Sequence, residues 1–112
     1  MSPPDYPLEL TVAEARALMQ AHPDRVQVLD VREPHELAIC QLDGAAHVPM
    51  SQIPAQAAAL PRDRHLLVLC HHGVRSLRVA MWLQQQGFRH AASMAGGIEE
   101  WSLDVDQDVP RY

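Results

Sequence analysis

The stretch Leu66 to Gly87, LLVLCHHGVRSLRVAMWLQQQG, constrains this chain more than any other. Leu66-Leu67-Val68-Leu69 is a short unbroken apolar run, which reads as a buried strand. From Ser76 to Gln86 the pattern is that of a helix, and Gly87 followed by Phe88 suits a Schellman stop with Phe88 packed on Leu83. Between strand and helix lies the loop Cys70-His71-His72-Gly73-Val74-Arg75. Cys70 therefore leaves a buried strand and faces the N-terminus of a helix.

That position has a chemistry. The first amides of a helix have no intrahelical partner. A tight loop feeding the helix turns further amides toward one point and forms an anion nest. The helix dipole adds about half a positive charge at that end. Arg75 adds a full charge, and His71 and His72 add more when protonated. Such surroundings favour a cysteine's anionic form over its thiol. Gly73 fits a loop that needs positive φ or a close backbone approach. The other reading is an inert core cysteine at the end of a strand, and the local sequence alone leaves both open.

The flanking chain repeats the alternation of strand and helix. Leu8 to Leu10 is an expected short edge strand. Thr11-Val12-Ala13-Glu14 is a capping box opening a helix to about Ala21, with Val12, Ala15, Leu18 and Met19 as its apolar stripe. Val26 to Val31 reads as a buried strand, with Asp30 and Arg32 at its carboxyl end. A short helix over His35 to Ile39, a strand at His47-Val48 and a helix over Gln52 to Leu60 capped by Ser51 are expected next. Leu77, Val79, Ala80, Met81 and Leu83 supply core faces for the Ser76 helix. Ala91 to Met94 reads as a last strand, and Gly96-Gly97 opens a helix through Trp101. Such alternation implies an α/β fold, a small parallel β-sheet with helices on both faces. Ligands in such sheets sit beyond the carboxyl ends of the strands. Asp30, Arg32 and Cys70 all fall there, so they are expected to share one mouth.

The 112 residues suffice for one domain, 1–112, with its core at about 8–102 and a tail over 103–112. Met1 to Pro7 is Pro-rich and expected to be loose. A net charge of −5 argues against nucleic acid or an anionic membrane surface as partner. All nine basic residues are arginine. Two cysteines and no signal-like N-terminus predict a reducing, cytoplasmic setting without disulfides. No apolar run nears the ~20 residues of a membrane span.

Four motifs in order resemble the single-domain rhodanese-like sulfurtransferases, over nearly the whole chain. Leu29-Asp30-Val31-Arg32-Glu33 is similar to that family's Asp-x-Arg-Glu segment. Glu36 to Pro49, ELAICQLDGAAHVP, resembles its Glu-Phe-x-x-Gly-His-Ile-Pro-Gly-Ala…Ile-Pro stretch, with Cys40, Gln41 and Asp43 at the usual Gly, His and Pro. Cys70 to Ser76 resembles the Cys-x-x-Gly-x-Arg-Ser loop, and Gly96-Gly97-Ile98 with Trp101 the closing Gly-Gly…Trp signature. The resemblance implies a sulfur transfer in which Cys70 takes the outer sulfur of a donor such as thiosulfate as a persulfide and passes it to a thiophilic acceptor. It implies that the loop from His71 through His72, Gly73, Val74 and Arg75 to Ser76 holds the anionic sulfur. Arg75 would take the donor's oxyanion end, Asp30 a structural role, and Arg32 a pocket-edge role. No cofactor is implied.

Other readings compete at particular residues. His71-His72 lacks the close-spaced pairing of zinc sites, and neighbours on an extended backbone point to opposite sides, so no metal is expected. The pair is expected at the pocket mouth. Cys40 is a resolving cysteine or, as free cysteines more often are, a small core residue. Trp82 and Trp101 are expected to pack rather than bind. Phosphatases with a Cys-x₅-Arg loop, and arsenate reductases, share this fold class, but the interval Cys70-x₄-Arg75 is one residue shorter and makes a smaller cradle. A non-catalytic persulfide carrier or binding module is the third class.

Overall fold

The apolar run of the sequence lies in the middle of a sheet. In the computed structural model, which describes residues 6–112, it belongs to a strand, β4 (His65–Leu69). The others are β1 (Glu9–Leu10), β2 (Val26–Asp30), β3 (Ala46–His47) and β5 (Ala91–Met94). Their order is β1-β5-β4-β2-β3, and every pairing is parallel. The helices are α1 (Val12–Ala21), α2 (Pro34–Leu37), α3 (Ile53–Gln56), α4 (Val74–Gln85) and α5 (Gly97–Asp104). The expectation for residues 1–5 lies outside the described residues. Among the described residues no helix is long and apolar enough to cross a membrane.

Side chains of β4 alternate between two cores, as the period of a strand requires. Leu66, Val68 and Cys70 meet Ile53, Val79, Ala80, Leu83 and Phe88 on one face. Leu67 and Leu69 meet Val12, Ala15, Cys40, Ile98 and Trp101 on the other. So α3 and α4 cover one face of the sheet, and α1 and α5 the other. The two cysteines are free and belong to opposite cores, a placement that does not suit Cys40 to resolve a bond on Cys70.

Local chemistry sets the element ends. Thr11 Oγ1 accepts from the Glu14 amide while the Glu14 carboxylate accepts from the Thr11 amide, the reciprocal capping box. At the end of α4, the Phe88 amide reaches Leu83 O at 3.0 Å and the Gly87 amide reaches Gln84 O at 3.1 Å. With Gly87 at φ 94°, this is the Schellman pair the sequence predicts.

Four expectations need correction. The helix placed over Gln52 to Leu60 is broken into a 3₁₀ turn (Met50–Gln52), α3, and a second 3₁₀ turn (Ala57–Ala59). The break falls after Gln56, where the second 3₁₀ turn begins; Pro54 sits in the first turn of α3, where a missing amide is tolerated. Ser51 caps nothing; the flanking position is Pro49. The Cys70 helix starts at Val74 rather than Ser76, with Gly73 as its N-cap. Met81 is 44% exposed, because Ser76, Val79, Ala80 and Leu83 already make the buried i, i+3, i+4, i+7 face.

Candidate active site

The loop after β4 is built around a sulfur atom. The Gly73 amide reaches Cys70 Sγ at 3.1 Å and the Ser76 amide reaches it at 3.3 Å. Ser76 Oγ lies 3.3 Å from the same atom and 2.6 Å from Ser93 Oγ. All four side chains of this cluster, counting Gly73 by its backbone, are buried. Two amides and a hydroxyl thus converge on a thiol that is 1% exposed.

The carbonyls of the loop are drawn off elsewhere. Ile98 donates its amide to Cys70 O at 2.9 Å, and Glu99 donates to His71 O at 3.1 Å. Both amides belong to the first turn of α5, where no intrahelical acceptor exists. Holding the carbonyls outward leaves the amides facing inward. The approach is close enough that a Cβ on Gly97, at φ 62°, would overlap the Cys70 and His71 carbonyls. Gly73, at φ 101°, is similarly pressed: a Cβ there would stand 3.1 Å from the Gly96 amide nitrogen. The two glycine motifs of the sequence are therefore one packing contact.

Charge is arranged around this cradle in a chain of pairs. Arg75 grips Glu36 with both terminal nitrogens, at 2.6 and 2.9 Å. Glu36 also accepts from the Glu33 amide at 3.0 Å and from Tyr112 Oη at 2.6 Å. The Arg75 hydrogen bonds hold the Glu36 carboxyl well below the usual carboxylate range, and Tyr112 and the Glu33 amide add to this against the opposing effect of burial. Burial, then the bond to Glu36, pushes the Tyr112 phenol up to about 12, so it stays a donor at neutral pH. Arg75 remains 34% exposed, and a guanidinium with five donors keeps three beyond the two given to Glu36.

Asp30 and Arg32 form the next pair, with Arg32 Nη2 and Asp30 Oδ2 2.9 Å apart. They are not at an open pocket edge. Arg32 is 0% exposed, its remaining donors taken by Cys40 O at 2.8 Å and Tyr112 Oη at 2.9 Å. A buried guanidinium needs such partners, and the fold supplies them from the chain that follows α2 and from residue 112. Asp30 also accepts from the Arg32 amide at 3.0 Å, so it shapes the turn after β2.

The two histidines do stand together at this end of the sheet, but on one side. Their rings stack with centroids 3.8 Å apart, because the backbone here curls around the thiol and is not extended. Tyr112 covers the other face of His71, at 3.8 Å and 9° from parallel. Burial, then the neighbouring His72, pushes the His71 imidazole below its ordinary value, and Nε2 is buried without a partner. Among the described residues no group of three or more His, Cys, Asp or Glu is placed to hold a metal ion.

Reading the sequence alone did not single out Glu36, Ser93 or Tyr112 as parts of the site. Glu36 follows a strand's carboxyl end and could have been found by the rule that placed Asp30 there. Ser93 is the one polar residue in the strand Ala91-Ala92-Ser93-Met94. Tyr112 carries no local signal; only the tertiary fold brings it back.

A parallel α/β sheet with a cysteine cradled by loop amides at its carboxyl edge defines a class of domain. The chain belongs to the rhodanese-like domain family, whose model matches residues 11–104. It is 38% identical over 110 residues to the rhodanese-like/PpiC domain-containing protein 12, chloroplastic, of Arabidopsis thaliana, covering 93% of this chain but 37% of that longer protein. It is 36% identical over 93 residues to the thiosulfate sulfurtransferase GlpE of Stutzerimonas stutzeri, covering 80% of this chain and 85% of that one. The human single-domain sulfurtransferase TSTD1 superposes with a TM-score of 0.75 at 26% identity, over 87% of this chain and 96% of that chain.

Proposed function

We propose that this protein is a sulfurtransferase that carries a sulfane sulfur on Cys70 from thiosulfate, or a donor like it, to a thiol acceptor. The observation behind this reading is the convergence of the Gly73 and Ser76 amides on Cys70 Sγ at 3.1 and 3.3 Å. In the first step the Cys70 thiolate attacks the outer sulfur of thiosulfate. The new S–S bond forms as the old one breaks, and sulfite leaves with the bonding pair. In the second step an acceptor thiolate attacks the outer sulfur of the persulfide and Cys70 leaves as thiolate. One difficult transfer becomes two easier ones.

The side chains and amides have separate tasks in this scheme. Gly73, Ser76 and the hydroxyl pair Ser76–Ser93 hold the inner sulfur. The amides of Val74 and Arg75, in the first turn of α4 without intrahelical acceptors, face the added sulfur and its charge. Arg75 takes the sulfonate end of the donor with the donors that Glu36 leaves unused. His71 and His72 line the mouth, while Asp30 and Arg32 hold the surrounding frame. The acceptor is a small thiol or a protein thiol, no cofactor takes part, and the setting is cytoplasmic and reducing. Residues 1–112 act as one domain. Intact mass after incubation with thiosulfate tests the reading: one added sulfur, removed by excess thiol and missing in Cys70→Ser, is expected. An unchanged mass with every sulfane donor tried would overturn it.

A further inference from the structure

The chain beyond α5 returns to the site. Val109 packs against the core beside Trp101, and its carbonyl accepts from Ser102 Oγ. Pro110 follows. Arg111 then makes a two-point pair with Glu99, at 3.0 and 2.6 Å. Glu99 is the residue whose amide holds the His71 carbonyl. Tyr112 comes to rest with its ring on His71 and its hydroxyl between Glu36 and Arg32.

These contacts place one ring across two arms of the cradle. His71 is the first residue after Cys70. Glu36 grips Arg75, five residues after it. Tyr112 touches His71 with its face and Glu36 with its hydroxyl, so it bridges the start and the end of the loop. Cys70, at the head of the loop, is 1% exposed, whereas Val74 on the same loop is 65% exposed. The loop is open to solvent; the thiol is not.

We propose that Tyr112 is a specificity-determining residue of the Cys70 site. It roofs the mouth and sorts co-substrates by size: a small anion passes after a slight shift of the ring, and a bulky thiol waits until the Pro110–Tyr112 strap swings out. The proposal builds on Cys70 as the reacting group. The outer fastening is weak, and what opening has to break is the inner one, the Tyr112 hydroxyl held by Glu36 and by the buried Arg32. In the Arg111–Glu99 pair the arginine is exposed and the carboxylate half-buried, and pairs at the surface contribute little to holding a segment in place. Val109, packed against the core, and Pro110 set the fixed end from which Arg111 and Tyr112 move.

The test compares two reagents on the full chain, with labelling of Cys70 read by peptide mass. Iodoacetamide is the small probe and fluorescein maleimide the bulky one. Tyr112→Ala is expected to speed the bulky reagent about tenfold, the factor that ~1.4 kcal/mol of lost closure represents, and the small one far less. Tyr112→Phe keeps the ring but loses both hydroxyl bonds, so it should fall between wild type and Tyr112→Ala. Arg111→Ala loosens the strap without touching the site and should shift the ratio of the two rates in the same direction, whatever the folding of Tyr112→Ala. An unchanged ratio in Arg111→Ala and Tyr112→Phe, or equal acceleration of both reagents, would overturn the gate. No sulfur chemistry enters the measurement, so its outcome is independent of whether thiosulfate is the donor.

Discussion

Ile98 donates its amide to the carbonyl of Cys70 at 2.9 Å, and this bond ties the cysteine loop to a helix that lies on the opposite face of the sheet. The loop's inward amides depend on its outward carbonyls being held. The site is thus made jointly by the N-termini of two helices. α4 offers amides to the sulfur, and α5 takes the carbonyls away from it.

Gly97→Ala tests that division of labour. The new methyl would overlap two backbone carbonyls, at a positive φ that side chains rarely adopt. A strained position of this kind costs about 1–3 kcal/mol. The expected outcome is a lower urea midpoint together with a loss of persulfide formation larger than the stability change accounts for, since the amides move with the loop. A variant with wild-type midpoint and wild-type sulfur uptake would show that the loop does not need α5.

Cys70→Ser is expected to abolish sulfur transfer, and Cys40→Ser to retain most of it. Cys40 lies in the other core, 3.9 Å from an Arg32 nitrogen, with the sheet between it and the cradle. Turnover of thiosulfate by each variant decides the point. Loss of activity in Cys40→Ser with an intact fold by circular dichroism would give the second cysteine a chemical part.

Much of this arrangement was legible in the sequence because it is local. The β4 run, the Thr11 capping box and the Gly87–Phe88 stop are each written within a few neighbouring residues, and all three appear where the pattern puts them. The nest at Cys70 is also local, being a strand end followed by a glycine and a helix. What was not legible depends on contacts between distant residues. Nothing near Arg75 announces that Glu36 will grip it from 39 residues away. Nothing near Arg32 says that its donors will be used up by Cys40 O and Tyr112, which turns an expected pocket edge into a buried frame. The Gln52–Leu60 segment differs for another reason: its alanines favour a helix, but propensity is a weak prior, and the segment runs instead as a 3₁₀ turn, α3 and a second 3₁₀ turn.

The proposed function gives Arg75 a second role beside its pairing with Glu36, and one substitution cannot separate the two. Arg75→Ala is expected to raise KM for thiosulfate, the sign of lost uniform binding. It also leaves the buried Glu36 carboxylate without its main partner, so stability should fall. Adding Glu36→Gln removes the orphaned charge. The double variant Arg75→Ala/Glu36→Gln is therefore expected to regain much of the stability and none of the KM. Steady-state kinetics beside urea unfolding of the three proteins separates the two effects. Recovery of KM in the double variant would mean that Arg75 serves only to neutralise Glu36.

Acid should reveal the same cluster. Arg75, then Tyr112 and the Glu33 amide, hold Glu36 ionised to an unusually low pH in the folded state. In the unfolded chain the carboxyl titrates near its ordinary ~4.3. Between those values the unfolded state binds more protons than the folded one, so stability falls as the solution is acidified. The contribution from Glu36 is complete above the unfolded value, and it is lost as pH drops through that value toward the folded one. Glu36→Gln has no proton to take up. Its stability at neutral pH should be lower than that of wild type, since Arg75 and Tyr112 lose an ionised acceptor. Its decline below pH ~5 should be shallower, so that the two curves draw together. Urea midpoints measured from neutral pH downward, for both proteins at one ionic strength, give the slopes. Parallel acid limbs would mean that Glu36 is not held ionised by the fold, and that the Arg75–Glu36–Tyr112 cluster is far weaker in solution than its distances of 2.6 to 2.9 Å imply.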